Sequence, residues 1–77
     1  MPRSHEYPPG TLSAQHFAVK HGVPEGLLRQ HIDVGIDGEC VEAVKLAYGR
    51  QVRRYLTPEQ QSKAFEFWDR HGVRYRR

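Results

Sequence analysis

Lys45, Arg50, Arg53 and Arg54 crowd into residues 43–56 with no acidic residue among them, a local net charge of +4. Cations massed on one segment neutralise phosphate oxygens, a contact that gives affinity and salt dependence but carries no sequence information. Arg70, Arg74, Arg76 and Arg77 form a second basic cluster at the carboxyl end. From Pro24 to Glu42 the balance reverses: Arg29 stands against Glu25, Asp33, Asp37, Glu39 and Glu42, a net of −4. Two basic segments flanking a mixed body are the charge pattern of a protein that meets an anionic polymer along one side. The competing reading of the tail is that its arginines only solubilise it. Arg29 and Gln30 are of the types that fork onto base edges in a major groove. As helical neighbours they point about 100° apart, so both reach a groove only if the helix lies along it. Otherwise they are two solvated residues on an exposed face.

Other chemistry finds less support in the residue types. His16 and His21 are five apart, a spacing that does not put two ligands on one helical face. Cys40 has no second cysteine, which excludes an internal disulfide and leaves no thiol pair for a metal. No glycine-rich phosphate loop, oxyanion donor set or pair of pocketed carboxylates is recognisable. No metal, cofactor or small-molecule substrate is therefore expected, and the chain reads as a non-enzyme. His31, on the inner side of its helix, is expected to be a hydrogen-bonded core histidine.

The elements that must position the cations follow from periodicity and punctuation. Residues 1–10 hold Pro2, Pro8, Pro9 and Gly10 with no period and read as a flexible amino-terminal arm. Residues 11–72 form the folded domain and 73–77 a basic tail. Ser13 caps a helix that starts near Ala14, with Leu12 and Phe17 spaced as a hydrophobic staple. That helix buries Ala14, Phe17, Ala18 and His21 and stops at Gly22. Pro24 opens a second helix carrying Leu28 and Ile32, which ends near Asp33 before Gly35 and Gly38. Gly26 inside it costs roughly 1 kcal/mol against alanine, tolerable where something must approach the backbone. For residues 39–56 two patterns compete. Val41, Val44 and Tyr48 could line a helix closed by Gly49; alternation in Glu42-Val44-Leu46-Tyr48 and Val52-Arg54-Leu56 favours a hairpin about Tyr48-Gly49-Arg50-Gln51. A hairpin projects Arg50 and Gln51 from its tip with Lys45, Arg53 and Arg54 along its flanks, a basic wing. Thr57-Pro58-Glu59-Gln60 is a capping box with proline at the first helical position. The last helix then offers Gln61, Ala64, Phe65 and Trp68 as one stripe, leaves Phe67 off it and stops at Gly72.

Phe17-Ala18…Gly22-Val23, Leu28-Arg29-Gln30-His31-Ile32 and Arg53-Arg54-Tyr55-Leu56-Thr57-Pro58-Glu59 resemble the compact winged helix-turn-helix domains of the MerR and phage-excisionase superfamily. The resemblance spans about three quarters of the chain. It implies a mainly α fold of three helices with a small β-hairpin as the wing. It also implies a second helix in the major groove and a wing on the adjacent backbone. Carried over, those roles fall to Gly26, Leu27, Arg29 and Gln30 on the helix and to Lys45, Arg50, Arg53 and Arg54 on the wing. The sequence departs from that pattern in having a single cation on the second helix and an acidic connection from Gly35 to Val41.

These readings together lead to the expectation of a small cytoplasmic DNA-binding protein, a transcription regulator or excisionase-like architectural factor. Its contacts to double-stranded DNA would come from Gly26, Leu27, Arg29 and Gln30, from Lys45, Arg50, Gln51, Arg53 and Arg54, and from Arg74, Arg76 and Arg77. One such module covers little DNA, so a homodimer or a cooperative array is expected. No membrane association is anticipated, because no apolar run approaches a spanning length. The rival expectation is a protein-binding adaptor or inhibitor on the same scaffold, docking on a regulator or polymerase. It would account for the acidic connection and for Phe67.

Overall fold

The computed structural model describes residues 7–77. The expectation of a flexible arm falls on 1–10, so its first six residues lie outside the described part. The elements run β1 (Leu12–Ser13), α1 (Ala14–Lys20), α2 (Glu25–Asp33), β2 (Val44–Tyr48), β3 (Gln51–Leu56) and α3 (Pro58–His71). Three helices and a three-stranded antiparallel sheet of order β1-β3-β2 make an α+β fold. Among the described residues no helix is long and apolar enough to cross a membrane.

Local chemistry sets the boundaries. Ser13 Oγ accepts the His16 amide at 3.1 Å, satisfying one of the unpaired donors at the start of α1. Val23 N–H donates back to Ala18 O at 2.9 Å, so the turn into α2 is tight. Pro24 takes the cap position of α2, one place before the first helical residue, and offers no side-chain cap. Within residues 39–56 the hairpin forms and not the helix, spanning Val44 to Leu56, with its first strand beginning at Val44 and not at Glu42. Its loop is Gly49-Arg50, with Gly49 at φ +62°, the positive value that a Gly-X hairpin turn demands at its first position. At the head of α3 the Thr57 Oγ1 accepts from Gln60 N (3.3 Å) and the Gln60 side chain accepts from Thr57 N (3.0 Å), the reciprocal capping expected.

One strand was not expected. Leu12 and Ser13 pair with Leu56 and Tyr55, so the wing is joined to the residues that cap α1. The residues just before them are tied down as well. Pro8 O accepts from Thr11 N and Oγ1, Gln61 Nε2 donates to Gly10 O at 2.8 Å, and the Tyr7 ring stacks on Tyr55.

The core is built on Phe17, Ala18, Leu28, Ile32, Val41, Leu56, Ala64, Phe67 and Trp68. Here the stripe expected on α3 is corrected. Ala64, Phe67 and Trp68 are buried, whereas Phe65 is only half-buried. α3 is covered from two sides: Phe67 meets His31 and His71, while Phe65 meets Phe17, His21 and the Tyr75 ring of the tail. The buried set 64, 67, 68 still has helical spacing, rotated by about one residue from the stripe expected.

His31 is the core histidine anticipated, and its role has a pH consequence. Trp68 Nε1–H donates to His31 Nδ1 at 3.2 Å. An indole can only donate, so that nitrogen must be bare and the ring neutral. Burial first, and then the nearby His71, hold the His31 pKa below its ordinary value of 6.5. As pH falls through that value the unfolded chain takes up a proton before the folded one does, so stability is complete above it and declines below it. Urea midpoints should therefore fall between pH 7.5 and 5.5, and less steeply in His31→Gln. Identical pH profiles for the two proteins would remove His31 as the cause.

Candidate nucleic-acid interface

The register of the hairpin decides where its cations go. Val44 pairs with Tyr55, Lys45 with Arg54, Leu46 with Arg53, Ala47 with Val52 and Tyr48 with Gln51. Because side chains alternate along a strand and paired residues share a face, Lys45 and Arg54 lie on the face that also carries buried Leu56. Arg53 and Gln51 lie on the other, with Tyr48 and Tyr55.

β1 covers only the last two residues of β3. Beyond it, Gln51 to Arg54 border a groove of about 320 Å³ whose opposite wall is Ser13, Ala14 and Gln15 at the start of α1 and Glu25 and Arg29 of α2. Glu25, Arg29 and Asp33 follow at four-residue spacing and form one row of α2 turned toward the wing. The groove thus gathers Arg29, Gln51, Arg53 and Arg54 from the residues expected at the site. Gly26, Leu27 and Gln30 are exposed on adjacent rows of α2 but do not line it, and Gly26 has nothing within 4 Å of where a side chain would start.

Asp33, the last residue of α2, holds two of the wing's cations. Arg54 Nε and Nη2 donate to its two carboxylate oxygens at 3.1 and 2.6 Å, and Lys45 Nζ reaches it at 3.2 Å. The Arg54 hydrogen bonds foremost, joined by Lys45, hold the Asp33 carboxyl below its usual range. The opposite charges of segments 24–42 and 43–56 therefore meet within one chain. Among the described residues, Arg29, Arg50 and Arg53 enter no ion pair; Arg53 instead places its guanidinium 5.5 Å from the Tyr48 ring centre. No protein-family model, curated protein or solved structure matches this chain.

The carboxyl cluster sits elsewhere. Arg76 N–H donates to His21 O at 2.7 Å and His21 Nδ1–H donates to Arg76 O at 2.5 Å, strapping the tail to the end of α1. Arg77 lies over the Phe65 ring, 4.9 Å from its centre, donates to Tyr75 Oη and comes within 3.5 Å of Asp69. Arg74, Arg76 and Arg77 line a second concavity, with Gly22 and Asp69, that shares no residue with the wing groove. The acidic connection is partly engaged within the chain, through Glu39, while Asp37 enters no ion pair among the described residues. Glu39 pairs with Arg70 and with His71 Nε2 (2.8 Å), and Glu42 lies 3.6 Å from Lys63. Among the described residues no group of three or more His, Cys, Asp or Glu side chains is arranged to hold a metal ion.

Sequence reasoning missed Asp33, the residue that decides which cations are free. The signal available was the adjoining −4 and +4 segments; nothing in the spacing named the pair, 21 residues apart. Its removal gives a prediction opposite in sign to the loss of a cation. Asp33→Asn should leave Lys45 and Arg54 available to phosphates and steepen the salt dependence of duplex binding by as much as about 1.8 in log–log slope, at about 0.9 per contact. An unchanged slope from anisotropy titrations at several salt concentrations would show that the freed groups stay out of reach.

Proposed function

We propose that the chain is a winged helix-turn-helix DNA-binding protein, a transcription regulator or an architectural factor of the excisionase sort. The observation that carries this reading is the wing groove. Arg29 from α2 and Arg53 from β3 both line one concavity, neither paired with a carboxylate among the described residues, with Arg50 at the hairpin tip beyond them. A tight helix-turn-helix followed by a hairpin is also the order of elements that the resemblance to the MerR and excisionase superfamily implies. In this reading α2 presents Arg29 and Gln30 to base edges while Arg50 and Arg53 hold the backbone. Lys45 and Arg54 are held in reserve by Asp33, and the tail lies outside the primary contact. A single module of this size needs help to bind tightly, so self-association on DNA follows.

The features that favoured the adaptor reading are weakened. Phe67 is a core residue, and within the acidic connection Glu39 is engaged by Arg70 and His71 of α3, leaving Asp37 exposed. The test is the affinity for a mixed-sequence duplex of about two turns between 50 and 300 mM salt. Two phosphate contacts, from Arg50 and Arg53, predict a slope of about −1.8 in log K against log salt. Absent or salt-insensitive binding by a folded protein would overturn the proposal and return the adaptor.

A further inference from the structure

The face of the sheet turned away from Leu56 is unlike the groove beside it. Register places Val44, Leu46 and Tyr48 of β2 together with Gln51, Arg53 and Tyr55 of β3 on this face. None of these strand residues is a carboxylate. Tyr48 is 52% exposed, Tyr55 is partly buried, and the Tyr7 ring stacks on Tyr55 with centres 6.3 Å apart, extending the aromatic surface at that end. Tyr48 and the Tyr55 position are separated by four residues of strand, about 13 Å at 3.3 Å per residue, with Arg53 between them.

We propose that this face is a stacking platform for unpaired nucleobases, and that its ligand is a short single-stranded nucleic acid. Separated aromatic rings offer π-faces that any base can use, and the interposed arginine supplies both charge and a stacking plane. The spacing leaves room for two or three nucleotides between Tyr48 and Tyr55. Its charge is complementary to a phosphate backbone, Arg53 and the tip residue Arg50 being the charged groups at that end of the sheet. The site is distinct from the duplex reading in its decisive residue: Tyr48 does not line the wing groove.

The experiment uses the full chain and a labelled twelve-nucleotide thymidine tract, followed by fluorescence anisotropy beside a duplex of the same length. Tyr48→Leu keeps an apolar side chain at an exposed position, and circular dichroism checks that the fold is retained. Loss of one stacked base should weaken thymidine-tract binding roughly tenfold while duplex affinity stays within twofold. Retained thymidine-tract affinity in Tyr48→Leu, or no binding of the tract by the unaltered chain at 50 mM salt, overturns the platform. So does a change confined to self-association in sedimentation, which would make the face a contact between copies. Failure of the duplex arm alone, with the tract still bound, would count against the proposed function and not against this site.

Discussion

Gly35→Ala is expected to cost about 3 kcal/mol or more and to lower the melting temperature by roughly 15 °C. Gly35 sits just past α2 at φ +83°, where an L side chain is strained by about 1–2 kcal/mol. A Cβ there would also lie 2.1 Å from the Glu39 carbonyl oxygen and 2.7 Å from Cys40 Sγ. The first of these is backbone and cannot rotate away. Moving it breaks the tight turn in which Ile36 and Glu39 exchange both their amide bonds, at 2.8 and 2.9 Å, about Asp37 and Gly38. That turn aims Glu39 at Arg70 and His71 and delivers Val41 to the core, where its amide reaches His31 O at 3.0 Å. A domain of this size has a total stability in the range of several kcal/mol, so the change is a large fraction of it. Gly26→Ala is the contrast, since the position is helical and open: a gain of up to about 1 kcal/mol is expected. Thermal melts followed by circular dichroism check both, and a Gly35→Ala melt close to that of the parent would show that the turn yields at little cost.

The parts of this fold legible in the sequence are those encoded by neighbours. Thr57, Pro58 and Gln60 specify the start of α3, and Gly72 its end, through contacts three or four residues long. The alternation on either side of Gly49-Arg50 specifies the hairpin in the same way. What was illegible depends on distant partners. Two residues have no period, so β1 exists only because Tyr55 and Leu56 are there to receive it. Which of Phe65 and Phe67 is buried depends on how the 39–43 connection and the tail cover α3, not on the helix itself. For the candidate site the residue types were legible and their grouping was not. Arg53 and Arg54 are adjacent, alike in sequence and both border the groove, yet strand alternation turns Arg54 to Asp33 and Arg53 to the Tyr48 ring.

That division sets the largest functional effect, the combined loss of Arg29, Arg50 and Arg53. At about 0.1 M salt each phosphate contact is worth roughly eightfold in affinity, from a slope of about 0.9 per contact. The triple alanine variant, losing two backbone contacts and one base contact, should thus bind duplex at least about 60-fold more weakly, with its salt slope flattened by about 1.8. The three are exposed and make no ion pair among the described residues, so their removal should leave the melting temperature nearly unchanged. Single substitutions then separate the roles. Arg50→Ala and Arg53→Ala should weaken every duplex sequence alike, as backbone contacts do, whereas Arg29→Ala should alter the ranking of sequences in a competition series. Arg77→Ala, in the second concavity and already facing Asp69 and Tyr75, should change affinity less than about twofold if one released contact is not involved. Uniform losses from Arg29, Arg50 and Arg53 would strip α2 of a base-reading role and leave the wing holding backbone. An Arg77 effect as large as theirs would instead require the tail to share the interface, and with it a DNA path that spans both concavities.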